Sequence, residues 1–361
     1  MLNIGRPFRF QPSYAQFPWD EPCCYLEQYA YPFLPRPARR LADDVAVDLN
    51  TFLFLFSPTV QLQRRGADSC TLAGPAGRCD CRINRQEITL RAPMAALLGW
   101  ELTMTDSCAV FAPPGYTAPP PTPLSETGNL SRLFWSAPLE RLIPYRLYIP
   151  VNWDREPLPM LVVLHGGGSS PDELILLSGG RIQRLAEERG FLLLCADAAV
   201  ENSSYGCPIP PQGLAADSHL FDDTPEILQG KRLSLQALEA VIRETAAAYG
   251  VDRQQLYMAG NSMGGIGTFY FAATHPGMLR AIAPAGAAPD VSRFDATPLR
   301  GLPIFFTAGT EDYHGFCHLE AAYQALRAQG LSITFHPIAG GSHSGAWIEN
   351  LDQWVEELLS C

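Results

Sequence analysis

The sequence predicts an α/β architecture, a mostly parallel, doubly wound sheet preceded by a small α+β unit. Three observations carry that expectation. From about residue 124, short apolar runs such as Met160–Leu164 and Phe191–Cys195 alternate with segments of helical period, the pattern of parallel strands joined by crossover helices. Another such run, Leu256–Ala259, leads directly into Gly260-Asn-Ser262-Met-Gly264 and an apolar helical stretch. Ahead of all this, six prolines in the twelve residues 112–123 favour extended polyproline backbone and a semi-rigid linker.

Taken in order, residues 1–37 are dense in proline and aromatics. Proline at that density opposes helix and central strand, while the aromatics oppose simple disorder. The expectation is an extended arm packed on the body or on a second copy, a route to a homo-oligomer. Residues 38–111 read as a small α+β domain. Val45–Leu49, Thr51–Phe56, Thr59–Gln63 and Arg85–Leu90 are strand candidates, 91–98 is a short helix closed by Gly99, and 100–105 with 108–112 form a hairpin. After the linker, Arg132–Ser136 and Ile143–Ile149 read as antiparallel strands that open the domain 124–361. Met160–Leu164 is a buried strand, followed by a helix near 179–189 and the strand Phe191–Cys195. Asp197–Gly230 is irregular and longer than an ordinary connection, so it is expected to shape a pocket. A helix over Ser234–Tyr249, strands at Leu256, Leu279, Ile304 and Ile333, and helices at Leu319–Leu326 and Trp347–Leu359 complete the alternation.

Composition narrows the function. A hydrophobic content of 47% supports a sizeable core, and a net charge of −11 opposes binding to nucleic acid or an anionic membrane. The N-terminus lacks the apolar core and cleavage site of a signal peptide, and no apolar run is long enough to span a bilayer. As it stands, the chain reads as cytoplasmic. Cys79-Asp-Cys81 departs from zinc-ligand spacing, and His314, Cys317 and His318 lack a second pair of ligands, so no metal is expected.

A strand, a sharp turn and a helix around G-x-S-x-G expose the serine Oγ at the end of the strand. Ser262 is therefore the candidate nucleophile, and the amide of Met263 a candidate oxyanion donor. Gly260 and Gly264 allow the close passage of strand and helix. A serine nucleophile needs a base, a group that orients the base, and oxyanion donors. Asp312 follows the Ile304 strand, 50 residues beyond Ser262, and His343 follows the last strand, 31 residues further. Loops at the C-terminal edge of a parallel sheet converge on one crevice, so these three can meet. The second donor is expected in the glycine run after His165, at Gly166 or Gly167. Glu311, Asp290 and Asp295 are the competing acids. His314 and His318 lie too near the acid to serve as base, His336 lies within a strand, His275 at a helix end, and His165 reads as structural.

These motifs, "PMLVVLHGGGSS", "YGVDRQQLYMAGNSMGG", "TAGTEDYH" and "AGGSHSGAW", resemble the α/β-hydrolase superfamily. They are most similar to its feruloyl esterase, polyhydroxybutyrate depolymerase-like and acetyl xylan esterase group. The resemblance covers about residues 130–361. It implies hydrolysis of small-molecule or polysaccharide-linked carboxylic esters with no cofactor. A peptidase of the prolyl oligopeptidase type and a non-catalytic protein of the same fold are the alternatives. Residues 90–112 also resemble the copper amine oxidase N-terminal-like module of bacterial surface proteins. That resemblance implies a wall-contacting accessory domain, against the cytoplasmic reading.

Overall fold

The computed structural model describes residues 14–19, 21, 23–26, 29–31, 37–48, 52, 61–66, 68–84, 87–97, 99–119, 127–136, 138–139, 141–213 and 224–361. The first 13 residues of the expected arm, all but Phe52 of the expected strand 51–56, the first two residues of the expected strand 59–63, the end of the linker and residues 214–223 of the irregular segment lie outside these. The chain divides into two compact units, Arg9–Ser125 with Ser131–Pro144, and Met1–Phe8 with Glu126–Leu130 and Tyr145–Cys361.

The first unit holds β1 (Ala15–Pro18), β2 (Cys24–Leu26), β3 (Tyr29–Tyr31), β4 (Arg39–Leu41), β5 (Asp44–Asp48), β6 (Gln61–Arg65), β7 (Ser69–Gly74), β8 (Gly77–Asn84), β9 (Glu87–Leu90), α1 (Ala92–Ala96), β10 (Glu101–Met104) and β11 (Cys108–Ala112). The hairpin around Asp106-Ser107 pairs in register from Glu101↔Ala112 to Met104↔Ala109. The described part of the proline-rich segment, expected as an extended arm packed on the body or on a second copy, forms short strands. Its strand β1 lies between β11 and β2. The strands there are only three or four residues long, and Pro18 closes β1, so the prolines punctuate the sheet rather than interrupt it. A second sheet runs in the order β4-β5-β9-β8-β7-β6.

Strands β12 (Gly128–Ser136) and β13 (Arg141–Ile149) are divided between the units, Gly128–Leu130 and Tyr145–Ile149 belonging to the second. They are followed by β14 (Met160–Leu164), α2 (Glu173–Leu177), α3 (Arg181–Arg189), β15 (Leu192–Ala196), α4 (Pro225–Ala248), β16 (Leu256–Asn261), α5 (Met263–Thr274), β17 (Ala281–Ala285), β18 (Ile304–Gly309), α6 (Phe316–Ala328), β19 (Ile333–Ile338), α7 (Gly345–Glu349) and α8 (Leu351–Leu359). The strand order is β13-β15-β14-β16-β17-β18-β19. Only the β13–β15 pairing is antiparallel. Strands β14, β15, β16 and β17 are buried along their whole length, which explains their largely apolar sequences. Leu161, Val163, Tyr257 and Ala259 pack on one face with Ile182, Trp347 and Trp354.

Helix α4 begins nine residues before the expected Ser234. Thr224 caps it, accepting from the Ile227 amide at 3.4 Å, with Pro225 in the first helical position. The irregular segment therefore ends at 224. The final helix breaks at Asn350 into α7 and α8.

Chain order reverses at β14, which has β15 on one side and β16 on the other. At such a switch point the loops leaving adjacent strands diverge and open a crevice. The loops that leave β14 and β16 carry His165–Ser169 and Ser262.

Candidate active site

Ser262 stands between β16 and α5 with φ 55° and ψ −117°. A side chain with a Cβ rarely adopts such backbone. Its amide is fixed by a 2.9 Å bond to Ala285 O. A Cβ at Gly264 would collide with the carbonyl oxygen of Leu164, so the turn requires glycine there. Gly264→Ala is expected to cost about 3 kcal/mol or more, because the obstacle is backbone and cannot rotate away. A urea titration that leaves the midpoint unchanged would contradict this.

Asp312 and His343 come together as the sequence spacing predicts. His343 Nδ1 donates to Asp312 Oδ2 at 2.7 Å, with the carboxylate side chain fully buried. The other carboxylate oxygen, Oδ1, accepts from the His314 amide at 2.8 Å. Burial pushes the Asp312 pKa up, but the bonds from His343 and the His314 amide outweigh it, holding the carboxyl below its ordinary value. Nδ1 faces only an acceptor, so it carries the proton. Nε2 is left with its lone pair, buried and without a hydrogen bond among the described residues.

The elbow and the histidine loop are tied together. Asn261, immediately before Ser262, donates from Nδ2 to Ser344 Oγ at 3.0 Å. Gly286 (φ 66°) leaves space for His343, since a Cβ there would lie 3.0 Å from His343 Cε1. Gly286 also lines the same cavity as Ser262.

The glycine loop after β14 is held at several points. Tyr205 OH accepts the His165 amide at 2.9 Å, and Glu173 Oε2 accepts the Gly166 amide at 2.7 Å. The His165 ring donates from Nδ1 to Gly166 O at 2.8 Å, and its Nε2 accepts from the Ala198 amide at 3.2 Å. A carbonyl can only accept and an amide can only donate, so the ring is fixed as the Nδ1–H tautomer. Gly166 is buried and its amide is committed. Gly167 is exposed, and its amide makes no hydrogen bond among the described residues. Met263 opens α5, where first-turn amides lack helical partners.

Ser262, Met263, Gly167, Asn202 and His314 line two cavities, of about 250 Å³ and about 470 Å³. The smaller is walled by Pro211, Ile266, Ala287 and Leu319. The larger adds Glu201, Ser169 and Tyr313. The His314 ring lies 4.7 Å from that of His343. Burial and the neighbouring His343 both lower the His314 pKa.

The competing residues are engaged elsewhere. Asp290 and Asp295 bond to Ser292 and Thr297 in their own loops. His275 bonds to Glu239, and His336 to Glu357. Glu311 is exposed. No group of three or more histidine, cysteine or acidic residues is placed to hold a metal among the described residues. No helix among them is long and apolar enough to cross a membrane. Sequence reasoning missed Asn261, Glu173, Tyr205, Asn202 and the contact of His314 with His343. Only Asn261 carried a signal, as a polar residue at the end of a fully apolar strand.

No family model matches the sequence. Among curated proteins, feruloyl esterase B of Neurospora crassa is 27% identical over 135 residues, which are 37% of this chain and 40% of that protein. The chain thus spans about two fifths of that relative's length. A solved ferulic acid esterase is 18% identical with a TM-score of 0.51, covering 64% of this chain and 98% of its own. A thermostable esterase is 15% identical with a TM-score of 0.51, covering 96% of this chain and 99% of its own. Strand order, elbow and these structural likenesses agree: the chain has the α/β-hydrolase fold.

Proposed function

We propose that this chain is a serine hydrolase that cleaves short-acyl or aryl carboxylic esters through an acyl-enzyme. One observation carries the reading. A buried Asp312–His343 pair, with Nε2 unpartnered, stands at the loop tied to a strained elbow serine. In the proposed reaction, Ser262 Oγ attacks the ester carbonyl and passes its proton to His343 Nε2. The oxyanion is held by the amides of Met263 and Gly167. His343 then delivers the proton to the leaving alcohol, and a water activated by the same nitrogen releases the acid. Asp312 stays ionised and holds the tautomer.

The similarity to feruloyl esterase B supports esters as the substrate class. The apolar cavity of about 250 Å³ beside Ser262 suits a short acyl chain or a single ring. The test is a p-nitrophenyl ester series from acetate to octanoate, alongside methyl ferulate and aminoacyl anilides. Turnover is expected on acetate and on methyl ferulate, with a decline toward octanoate. Cleavage of the anilides in place of the esters would redirect the reading to a prolyl oligopeptidase-type peptidase. No turnover and no fluorophosphonate labelling would leave a binding protein.

A further inference from the structure

The glycine loop presents three successive amides near the end of β14, at His165, Gly166 and Gly167. The first two are taken up by side chains from elsewhere in the chain. Tyr205 receives the His165 amide and Glu173 the Gly166 amide. Gly166 O belongs to the same peptide unit as Gly167 N–H, and it accepts from both His165 Nδ1 at 2.8 Å and the Ser169 amide at 3.3 Å. Residue 166 is thus gripped on its amide and on its carbonyl, so the peptide plane that carries Gly167 N–H cannot rotate freely.

We propose that Glu173 and Tyr205 are positioning residues for the oxyanion site. By occupying the amides of Gly166 and His165, they leave Gly167 N–H as the donor this loop offers beside Ser262. The inference rests on the serine-hydrolase reading above and names the residues that set its oxyanion geometry.

The placement of both side chains supports a dedicated role. Tyr205 is fully buried with φ 51°, and it follows Ala199, Asn202 and Ser204, also at positive φ. Four such residues, none of them glycine, within seven positions are uncommon backbone gathered beside a site. Gly267 of α5 makes room for the Tyr205 ring, since a Cβ there would lie 2.8 Å from it. That accounts for the third glycine in Met263-Gly-Gly-Ile-Gly267. Burial keeps the Tyr205 phenol protonated, so its hydroxyl can accept the His165 amide while its proton points to the carbonyls of Ala196 or His165. At Glu173, a carboxylate accepts an amide more strongly than a neutral oxygen does. A donor preset toward a developing oxyanion stabilises the transition state and leaves ground-state binding unchanged.

The experiment compares Glu173→Ala, Glu173→Gln and Tyr205→Phe with the full wild-type chain. Two rates are read: phosphonylation by a fluorophosphonate, which needs no knowledge of the substrate, and kcat and KM on p-nitrophenyl acetate. Loss of an oxyanion donor costs about 10²–10³-fold, and misorientation costs less. Glu173→Ala is expected to lower both rates by roughly 10- to 100-fold with KM little changed. Glu173→Gln, whose amide oxygen still accepts the Gly166 N–H, should recover most of that loss. Tyr205→Phe should be slowed about tenfold, and it carries the test if Glu173→Ala does not fold. A Glu173→Ala rate equal to wild type, a Glu173→Gln rate as low as that of Ala, or a loss confined to KM would overturn the proposal while the wild type still labels. A wild type that does not label would overturn the hydrolase reading and this inference with it.

Discussion

Ser262→Ala should lower kcat by about 10⁴- to 10⁶-fold and abolish fluorophosphonate labelling, with little change in stability. The size of the rate loss follows from the proposed nucleophile being one member of a unit whose parts act together. The unchanged stability is specific to this site. The serine hydroxyl makes no hydrogen bond among the described residues, so its removal strands no partner. Alanine keeps the Cβ, and with it the strain of φ 55° and ψ −117°. Ser262→Gly should therefore be equally inactive but more stable than Ser262→Ala by about 1 kcal/mol, since strain of this kind costs about 1–3 kcal/mol and glycine avoids it. Matched thermal melts of the two variants, with kcat on p-nitrophenyl acetate, test both statements. Residual turnover in Ser262→Ala within tenfold of wild type would end the assignment of Ser262. A glycine variant that melts below the alanine variant would show that the turn is not strained.

Much of this site could be read from the chain because its parts are local. The elbow is a strand, two glycines and a helix in the continuous stretch Leu256–Thr274, and close backbone passage leaves glycine as the fitting residue at 264. Asp312 and His343 were readable because parallel topology sends loops after successive strands to one edge. What could not be read depends on contacts between distant segments. Glu173 lies seven residues from Gly166, and nothing in Pro171-Asp-Glu173 marks one carboxylate as a partner for that amide. Tyr205 reaches the loop through left-handed backbone at Ala199, Asn202 and Ser204, residue types that do not announce it. The early start of α4 was available in Thr224-Pro225-Glu226, a cap and a first-turn proline, but apolar periodicity begins only later and drew the expected boundary to Ser234. In the first unit, proline density suggested an extended segment, but not its pairing, because strands of three or four residues fit between the prolines.

Asp312→Asn should be at least as damaging as Asp312→Ala, with a loss in kcat of about 10⁴-fold at neutral pH. The reason is the second carboxylate oxygen. Oδ1 receives the His314 amide, while Oδ2 receives His343 Nδ1. Asparagine has one acceptor and one donor to place at these positions. The His314 amide is a fixed donor, so the asparagine oxygen must face it, or two N–H groups would oppose each other in a buried space. The asparagine NH₂ then points at His343 Nδ1 and forces that nitrogen to accept. The proton moves to Nε2, the nitrogen that takes the proton of Ser262 in the proposed reaction, and the base is blocked. Alanine imposes no tautomer and leaves a fraction of His343 competent. In the wild type, burial raises the Asp312 pKa, and the stronger pull of its two donors leaves it net lowered. Its folded-state value thus lies below the unfolded one of about 3.9. The stability it contributes is complete above that pH and is lost as pH falls through the lower folded value. Asp312 is therefore ionised throughout the neutral range, and protonation of the carboxylate is not what sets an acid limb there. The deciding measurement is kcat against pH for wild type, Asp312→Asn and Asp312→Ala on one ester. An asparagine variant clearly faster than alanine near pH 7 would mean that the His314 amide does not dictate the orientation of residue 312. The buried Asp312–His343 pair would then owe its tautomer to something other than the bond described here.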